Sequence, residues 1–303
     1  MNVRLLNAYL NERFGCKVYK LSLDGGMTCP NRDGTLGTRG CIFCGARGSG
    51  DFAVKTGRDV AVQLDAARRV VAGKARRAKY IAYFQSFTNT YAPVEELEPL
   101  YTAAMAPDDV VALSVATRPD CVPDDVLALL ARLNAWKPVW VELGLQTIHP
   151  STAAYIRRGY DLACFDGCVR RLRAAGIEVI VHMILGLPFE TPRMMYETAS
   201  YIGKSDVQGV KLQLLHVLRD ADLAEAYAAG AFPSLTLAKY VELLAGCIRR
   251  LPEDMVIHRL TGDGAKKSLI APLWSADKKR VLNTINAYFE REDVRQGELY
   301  ARG

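Results

Sequence analysis

Apolar and polar positions along this chain of 303 residues follow two periods in turn. Short runs rich in β-branched and aromatic residues, at Val18 to Leu23, Tyr80 to Phe84, Val110 to Val115, Val139 to Leu143, Ile177 to Met183 and Gly209 to Leu215, read as strands. Between them, segments near 57–78, 93–106, 123–134, 161–175, 191–204 and 219–229 repeat their apolar residues at helical spacing. Such alternation predicts right-handed βαβ units and a parallel sheet. The six units predict an α/β fold, a partial (β/α)6 TIM-like barrel over residues 1–230. A C-terminal α/β extension, 231–303, follows and packs on the barrel: a helix (Leu235 to Leu251), a strand-like run (Met255 to Leu260), a turn at 262–264 and a last helix (Ala276 to Glu290). The polar tail from Arg291 to Gly303 is expected to fray.

Half of the residues are apolar, enough for a large core without a metal staple. The start, Met1-Asn-Val-Arg-Leu-Leu, has no signal-peptide run, and nothing approaches the roughly 18 apolar residues of a membrane span, so a cytoplasmic protein without membrane contact is expected. Eight cysteines in such a chain point to metal or thiol chemistry rather than disulfides. Cys16, Cys121, Cys164, Cys168 and Cys247 stand in apolar surroundings and read as buried thiols; Cys164 and Cys168 share a helical face with no third ligand near. The net charge of +6 is uneven. No acidic residue falls between Asp65 and Glu95, whereas Arg68, Arg69, Lys74, Arg76, Arg77 and Lys79 do. This is either a polyphosphate-binding patch or a solvated helix face.

The most constraining stretch is the loop after the first strand, where Cys29, Cys41 and Cys44 are spaced C-x11-C-x2-C among glycines. Four thiolates close a tetrahedral zinc or fully ligate an iron–sulfur cluster, whereas three leave one position open to an exogenous ligand. A zinc knuckle that borrows Cys16 is the alternative the spacing leaves standing.

Chemistry in parallel barrels collects in the loops at the carboxyl ends of the strands. After the second strand, Gln85-Ser-Phe-Thr88-Asn-Thr90 supplies hydroxyls and amides for the polar end of a ligand, or plain N-caps. After the third come Arg118-Pro-Asp120 and Asp124, a helix cap. The fourth carries Glu142 and Gln146 to the rim, followed by Arg158-Gly-Tyr160. The fifth ends in His182, Gly186 and Thr191, where Gly186 permits close backbone approach and Thr191 caps a helix; His182 is a ligand contact or a satisfied core histidine. The sixth leads to His216 and Arg219 above the barrel mouth. Later His258 and Arg259, with a flexible turn and Trp274, offer a substrate lid or an RNA-contacting edge, though caps and turns explain the glycines equally.

The cysteine loop, including Phe43 before the last cysteine, resembles the cluster loop of the radical S-adenosylmethionine (radical SAM) superfamily, although the commonest first gap there is three residues and here it is eleven. The resemblance implies a [4Fe-4S] cluster on Cys29, Cys41 and Cys44 whose open iron chelates S-adenosylmethionine (SAM), and reductive cleavage to a 5'-deoxyadenosyl radical. It places Phe43, Thr88, Gln146, Arg158, His182 and Gly186 against SAM, Arg158 on the SAM carboxylate unless it pairs with Glu142. Their places over the mouth and in the late cationic segment, rather than the resemblance, assign His216, Arg219, His258 and Arg259 to substrate. Two marks depart from the pattern: the glycines before Thr88 are absent, and Ala116 stands where a glutamate usually precedes Thr117-Arg118-Pro-Asp. Tyr83-Phe-Gln followed by Thr88-Asn-Thr-Tyr, and Ala271-Pro-Leu-Trp, are similar to the YhcC/YtqA-like radical SAM family, a branch near the Elongator radical-SAM subunit without its acetyltransferase domain. That family implies action on an aminomethyl-type substituent of a tRNA wobble uridine and a flavodoxin- or ferredoxin-type electron donor. A small metabolite or peptide substrate, and a zinc-dependent nucleic-acid-binding protein, are the competing readings.

Overall fold

A computed structural model describes residues 2–46, 48, 59–74, 78–262 and 266–301. The elements in chain order are α1 (Leu6–Phe14), β1 (Val18–Leu23), α2 (Val60–Val71), β2 (Lys79–Phe84), α3 (Val94–Met105), β3 (Val110–Thr117), α4 (Asp124–Trp136), β4 (Val139–Gln146), α5 (Pro150–Tyr155), α6 (Leu162–Ala174), β5 (Glu178–Leu185), α7 (Pro192–Lys204), β6 (Gly209–Leu214), β7 (Val217–Leu218), α8 (Leu223–Ala228), α9 (Leu237–Ile248), β8 (Val256–Arg259), β9 (Leu269–Ala271) and α10 (Lys278–Arg291).

Seven strands form one parallel sheet in the order β1-β2-β3-β4-β5-β6-β8, an open barrel with helices outside. Every second strand residue faces the helices, which is why Leu21, Phe84, Leu113, Val141, Val181 and Leu212 join one apolar core with α2–α4, α6, α7 and α9. The other face lines the interior in layers. Val18, Ile81, Ala112, Trp140 and Ile180 close the floor with Leu10 of α1. One step up stand polar side chains from the same strands, and the top layer opens to the mouth.

The six expected strands and the barrel class are observed. The extension contributes β8, which pairs with β6 as the seventh strand, and β7 and β9 form a small antiparallel ribbon that the pattern did not announce. Helix α1 was also missed. Its N-cap is Leu5 with no side-chain cap, and Leu10 alone is buried, so the usual start signal and apolar stripe are lacking. Thr191 caps α7 as expected, by accepting the Met194 N–H. Two other cap expectations fail: Pro93 and Pro123 occupy the N-cap positions of α3 and α4, without side-chain caps from Thr88, Thr90 or Asp124.

The tail is not frayed up to Tyr300. Val294 is 2% and Gln296 3% exposed. The Gln296 amide donates to the carbonyls of Pro252 and Met255 and accepts the Arg4 N–H, so a polar residue is held by fully used hydrogen bonds. The basic run also changes character. Arg68 reaches Asp65, one helical turn before it, at 2.9 Å and forks onto Asp109 at 2.6 and 3.1 Å, so the fold adds an acidic partner that its neighbourhood in sequence lacks. Arg76 and Arg77, like Asp263 and Gly264, lie outside the described residues.

Candidate active site at the barrel mouth

The cysteine loop leaves the carboxyl end of β1 and folds back over the barrel mouth. Asn31, buried, ties it down: its side-chain amide donates to the Arg157 carbonyl at 2.7 Å and points at the Cys41 sulfur at 3.4 Å, while its carbonyl accepts the Gly40 N–H. Arg32 donates to the carbonyls of Cys44 and Gly45. Two aspartates beyond β7 hold the far side. Asp220 accepts the Ala46 N–H at 2.7 Å, and Asp222 pairs with Arg39 and Arg157.

Cys29, Cys41 and Cys44 line one cavity that opens at the barrel mouth. Cys41 and Cys44 are hydrogen-bonded to each other. The Cys44 thiol holds the Cys41 sulfur toward the thiolate, down to about 7, and the shared proton with burial drives Cys44 well up. Three soft thiols around one cavity, one of them already acidified, have the donor chemistry of an iron–sulfur cluster. Cys16 cannot complete a zinc set with them, since it precedes β1 and they follow it, roughly 20 Å apart at 3.3 Å per strand residue.

The same cavity is lined by Phe43, Thr88, Gln146, Arg158 and His182 of the expected cofactor contacts. Gln85 Nε2 and Gln146 Oε1 are buried there with no protein partner, an arrangement that costs stability unless a ligand satisfies it. Gln146 also has a left-handed backbone, φ 65°, at a register shift between β4 and β5. The pocket therefore fits a polar ligand such as SAM. Arg158 spends Nε and one terminal nitrogen on the carbonyls of Tyr160, Leu145 and Thr147; it does not pair with Glu142. Arg118 forks onto Asp120 and donates to the Arg158 carbonyl, and both guanidiniums lie over Tyr160, at 4.8 and 4.9 Å.

Beneath the cavity lies a charged layer that the strands carry inward at alternate positions. Glu142, 0% exposed, receives Lys20 at 2.6 Å and Ser114 at 2.7 Å on one oxygen, and His182 at 2.7 Å and Lys211 on the other. Lys211 also reaches the Tyr83 hydroxyl at 2.9 Å, and the ammonium groups of Lys20 and Lys211 lie 4.6 and 4.4 Å from the Tyr83 ring centroid. Burial opposes ionisation of Glu142, but Lys20 and Lys211 overcome it and hold the carboxyl well below its usual range. Burial and the Lys211 charge push His182 down to about 4, so it is a neutral imidazole at pH 7. Burial brings Lys211 down to about 7 against the pull of Glu142.

Other expected site residues are not brought to this cavity. Gly186 is required by its left-handed backbone, φ 85°, and the residue is not in the cavity lining. His258 is a floor residue rather than part of a lid. It lies on β8 with its ring edge-on to Trp140, in space left by the missing side chain of Gly209. Arg259 stands opposite Lys211 in the sheet, and its charge helps depress Lys211 and His182. His216 bonds to Ser275, and Arg219 is exposed beyond β7, above the barrel but outside the cavity lining. Trp274 donates to the Leu235 carbonyl and packs on Tyr240, a structural role. Sequence reasoning missed Lys20, Tyr83, Ser114, Asn31 and Arg32. For the strand residues the signal was present: a polar side chain at every inward position one step above the floor.

The profile of the Radical SAM superfamily matches residues 34–202, and that of the Radical_SAM C-terminal domain matches 207–291. The chain is 46% identical to protein YtqA of Bacillus subtilis over 98% of this chain and 92% of that protein, and 37% identical to protein YhcC of Escherichia coli over 99% and 96%. A tRNA uridine(34) acetyltransferase of Methanocaldococcus jannaschii is 24% identical over 54% of this chain and 32% of its own length. Among solved structures, Elp3 of Methanocaldococcus infernus superposes with a TM-score of 0.71 at 16% identity, over 92% of this chain and 64% of that one, which is likeness of fold.

Proposed function

The chain belongs to the radical SAM superfamily, whose cofactors are a [4Fe-4S] cluster and SAM, and from that premise we propose that it holds the cluster on Cys29, Cys41 and Cys44 and modifies the aminomethyl-type substituent of a tRNA wobble uridine. Bound together, those cofactors would supply one-electron reductive cleavage of SAM and, through the radical it releases, hydrogen-atom abstraction from the substrate. The electron comes from an external donor of the flavodoxin or ferredoxin type.

The observation that carries this reading is the convergence of three thiols and two unpartnered amides, Gln85 and Gln146, on one cavity at the carboxyl ends of the strands. The residues divide the work. Asn31 and Arg32 fix the loop that presents the thiols, Gln85, Thr88 and Gln146 would orient the polar end of SAM, and Phe43 lines the same cavity. Glu142, shared by Lys20, Lys211 and His182, keeps the inner wall rigid, while burial and the Lys211 charge keep the imidazole neutral against its pull. The tRNA substrate is supported by the partial likeness to the tRNA uridine(34) acetyltransferases, which the name places at the same nucleotide.

Two experiments test it. Anaerobically reconstituted protein is expected to be brown and to give a reduced-cluster EPR signal that changes with SAM; zinc alone in the purified protein overturns the cluster assignment. Nucleoside mass spectrometry of tRNA from a deletion strain is expected to show a changed wobble uridine, and an unchanged nucleoside profile removes the substrate.

A further inference from the structure

Among the described residues, five other than glycine have left-handed backbones, and four of them, Gln146 at the end of β4 and Phe87, Arg157 and Phe189 on loops, follow the carboxyl ends of strands. Phe87 and Gln146 line the cavity; Arg157 pairs with Asp222 beside the cysteine loop. Phe189 has no such account. It is 65% exposed with φ 67°, so it accepts backbone strain without gaining burial. The turn is pinned on both sides. The Glu190 N–H bonds to the Leu187 carbonyl, Thr191 caps α7, and the Glu190 carboxyl turns inward to the Thr147 hydroxyl, which takes its negative charge away from the ring.

The ring is held in place from below. Tyr155, half-buried at the end of α5, meets it edge-on with centroids 5.1 Å apart. Ile156, next in the chain, reaches the cavity, while Ala154 and Arg157 line an open groove with Leu36, Thr38 and Arg39 of the cysteine loop. That groove is electropositive: Arg39 and Arg157 share the single carboxylate of Asp222, two cations against one anion. Leu36 is itself exposed there. A fixed, solvent-facing aromatic, joined through Tyr155 to the helix end whose Ala154 lines a groove with two guanidiniums, is the chemistry that takes an unpaired base and its phosphate.

We propose that Phe189, braced by Tyr155, is a stacking platform for an unpaired base of an RNA loop, whose phosphate backbone runs in the groove past Arg39. The inference rests on the tRNA reading above and adds a place on the surface for the nucleotide that flanks the reacting one.

The test uses the anaerobically reconstituted protein and an anticodon stem–loop RNA with the fluorescent base 2-aminopurine next to the wobble uridine. Saturable quenching is expected for the wild type. Phe189→Ala is expected to weaken binding by roughly five- to a hundred-fold and to lose the quench, the range that base–aromatic stacking gives. Phe189→Trp should keep both, and Phe189→Gly, which accepts the backbone freely, should lose both without any loss of thermal midpoint. Arg39→Gln should lower the slope of log Kd against log salt by about one. Equal affinity and quench in Phe189→Ala overturns the platform alone. Failure of the wild type to bind the stem–loop overturns the platform and the tRNA reading together.

Discussion

His182 presents Nε2 to the Glu142 carboxylate at 2.7 Å, on the same oxygen that receives Lys211. One buried carboxylate thereby organises two lysines, an imidazole and the Ser114 hydroxyl from four other strands of the sheet. It is the point at which the charge balance of the interior is most exposed to change.

Glu142→Gln is therefore expected to destabilise the fold by about 3–5 kcal/mol, the usual loss when one partner of a buried ion pair is removed. Urea unfolding of the variant against the wild type measures it. A loss below about 1 kcal/mol would mean that water or an anion already compensates Lys20 and Lys211.

The His182 shift sets a pH window. Its folded pKa, about 4, lies below the ordinary 6.5, so the unfolded chain takes up a proton first as pH falls. The stability it contributes is complete above 6.5 and is lost as pH drops toward 4, on the order of 3 kcal/mol. His182→Gln should flatten that limb of a stability-against-pH curve, and an unchanged curve refutes the assignment.

Cys41→Ala should abolish cluster binding and leave the sheet intact, because the loop lies outside the strand core. Iron content and far-UV circular dichroism, read on the same sample, check both halves. Retained SAM cleavage in the variant would contradict the ligand set.

Gln146→Ala removes an amide whose oxygen has no protein partner. We expect SAM to bind about five- to tenfold more weakly, for the loss of roughly 1 kcal/mol of hydrogen bonding. Thermal stability should fall little or rise. Equilibrium dialysis with unchanged SAM affinity would remove Gln146 from the SAM contacts.

Gln296→Ala should cost about 1–3 kcal/mol, since it strands the carbonyls of Pro252 and Met255. Denaturant titration measures the loss, and a neutral variant would show that water replaces the amide.

The period of the apolar residues determined the six strands, the helices between them and the parallel order, because each strand must bury one face against helices and shed the other into a barrel interior. It also announced the cysteine loop and put it at the carboxyl end of β1. What a linear pattern does not contain is partnership across the sheet. Lys20, Ser114, Glu142, His182 and Lys211 come from positions up to 191 residues apart, the difference between 20 and 211, and only strand register makes them one cluster. Arg68 looked unpaired until Asp109 was folded against it. His258 read as a lid until β8 took it to the floor, and the tail read as loose until Gln296 found its carbonyls. Local periodicity follows from where each residue's own backbone points. Which charges meet, and which polar atoms stay free for a ligand, follows from distant segments packing together, and that is decided in three dimensions.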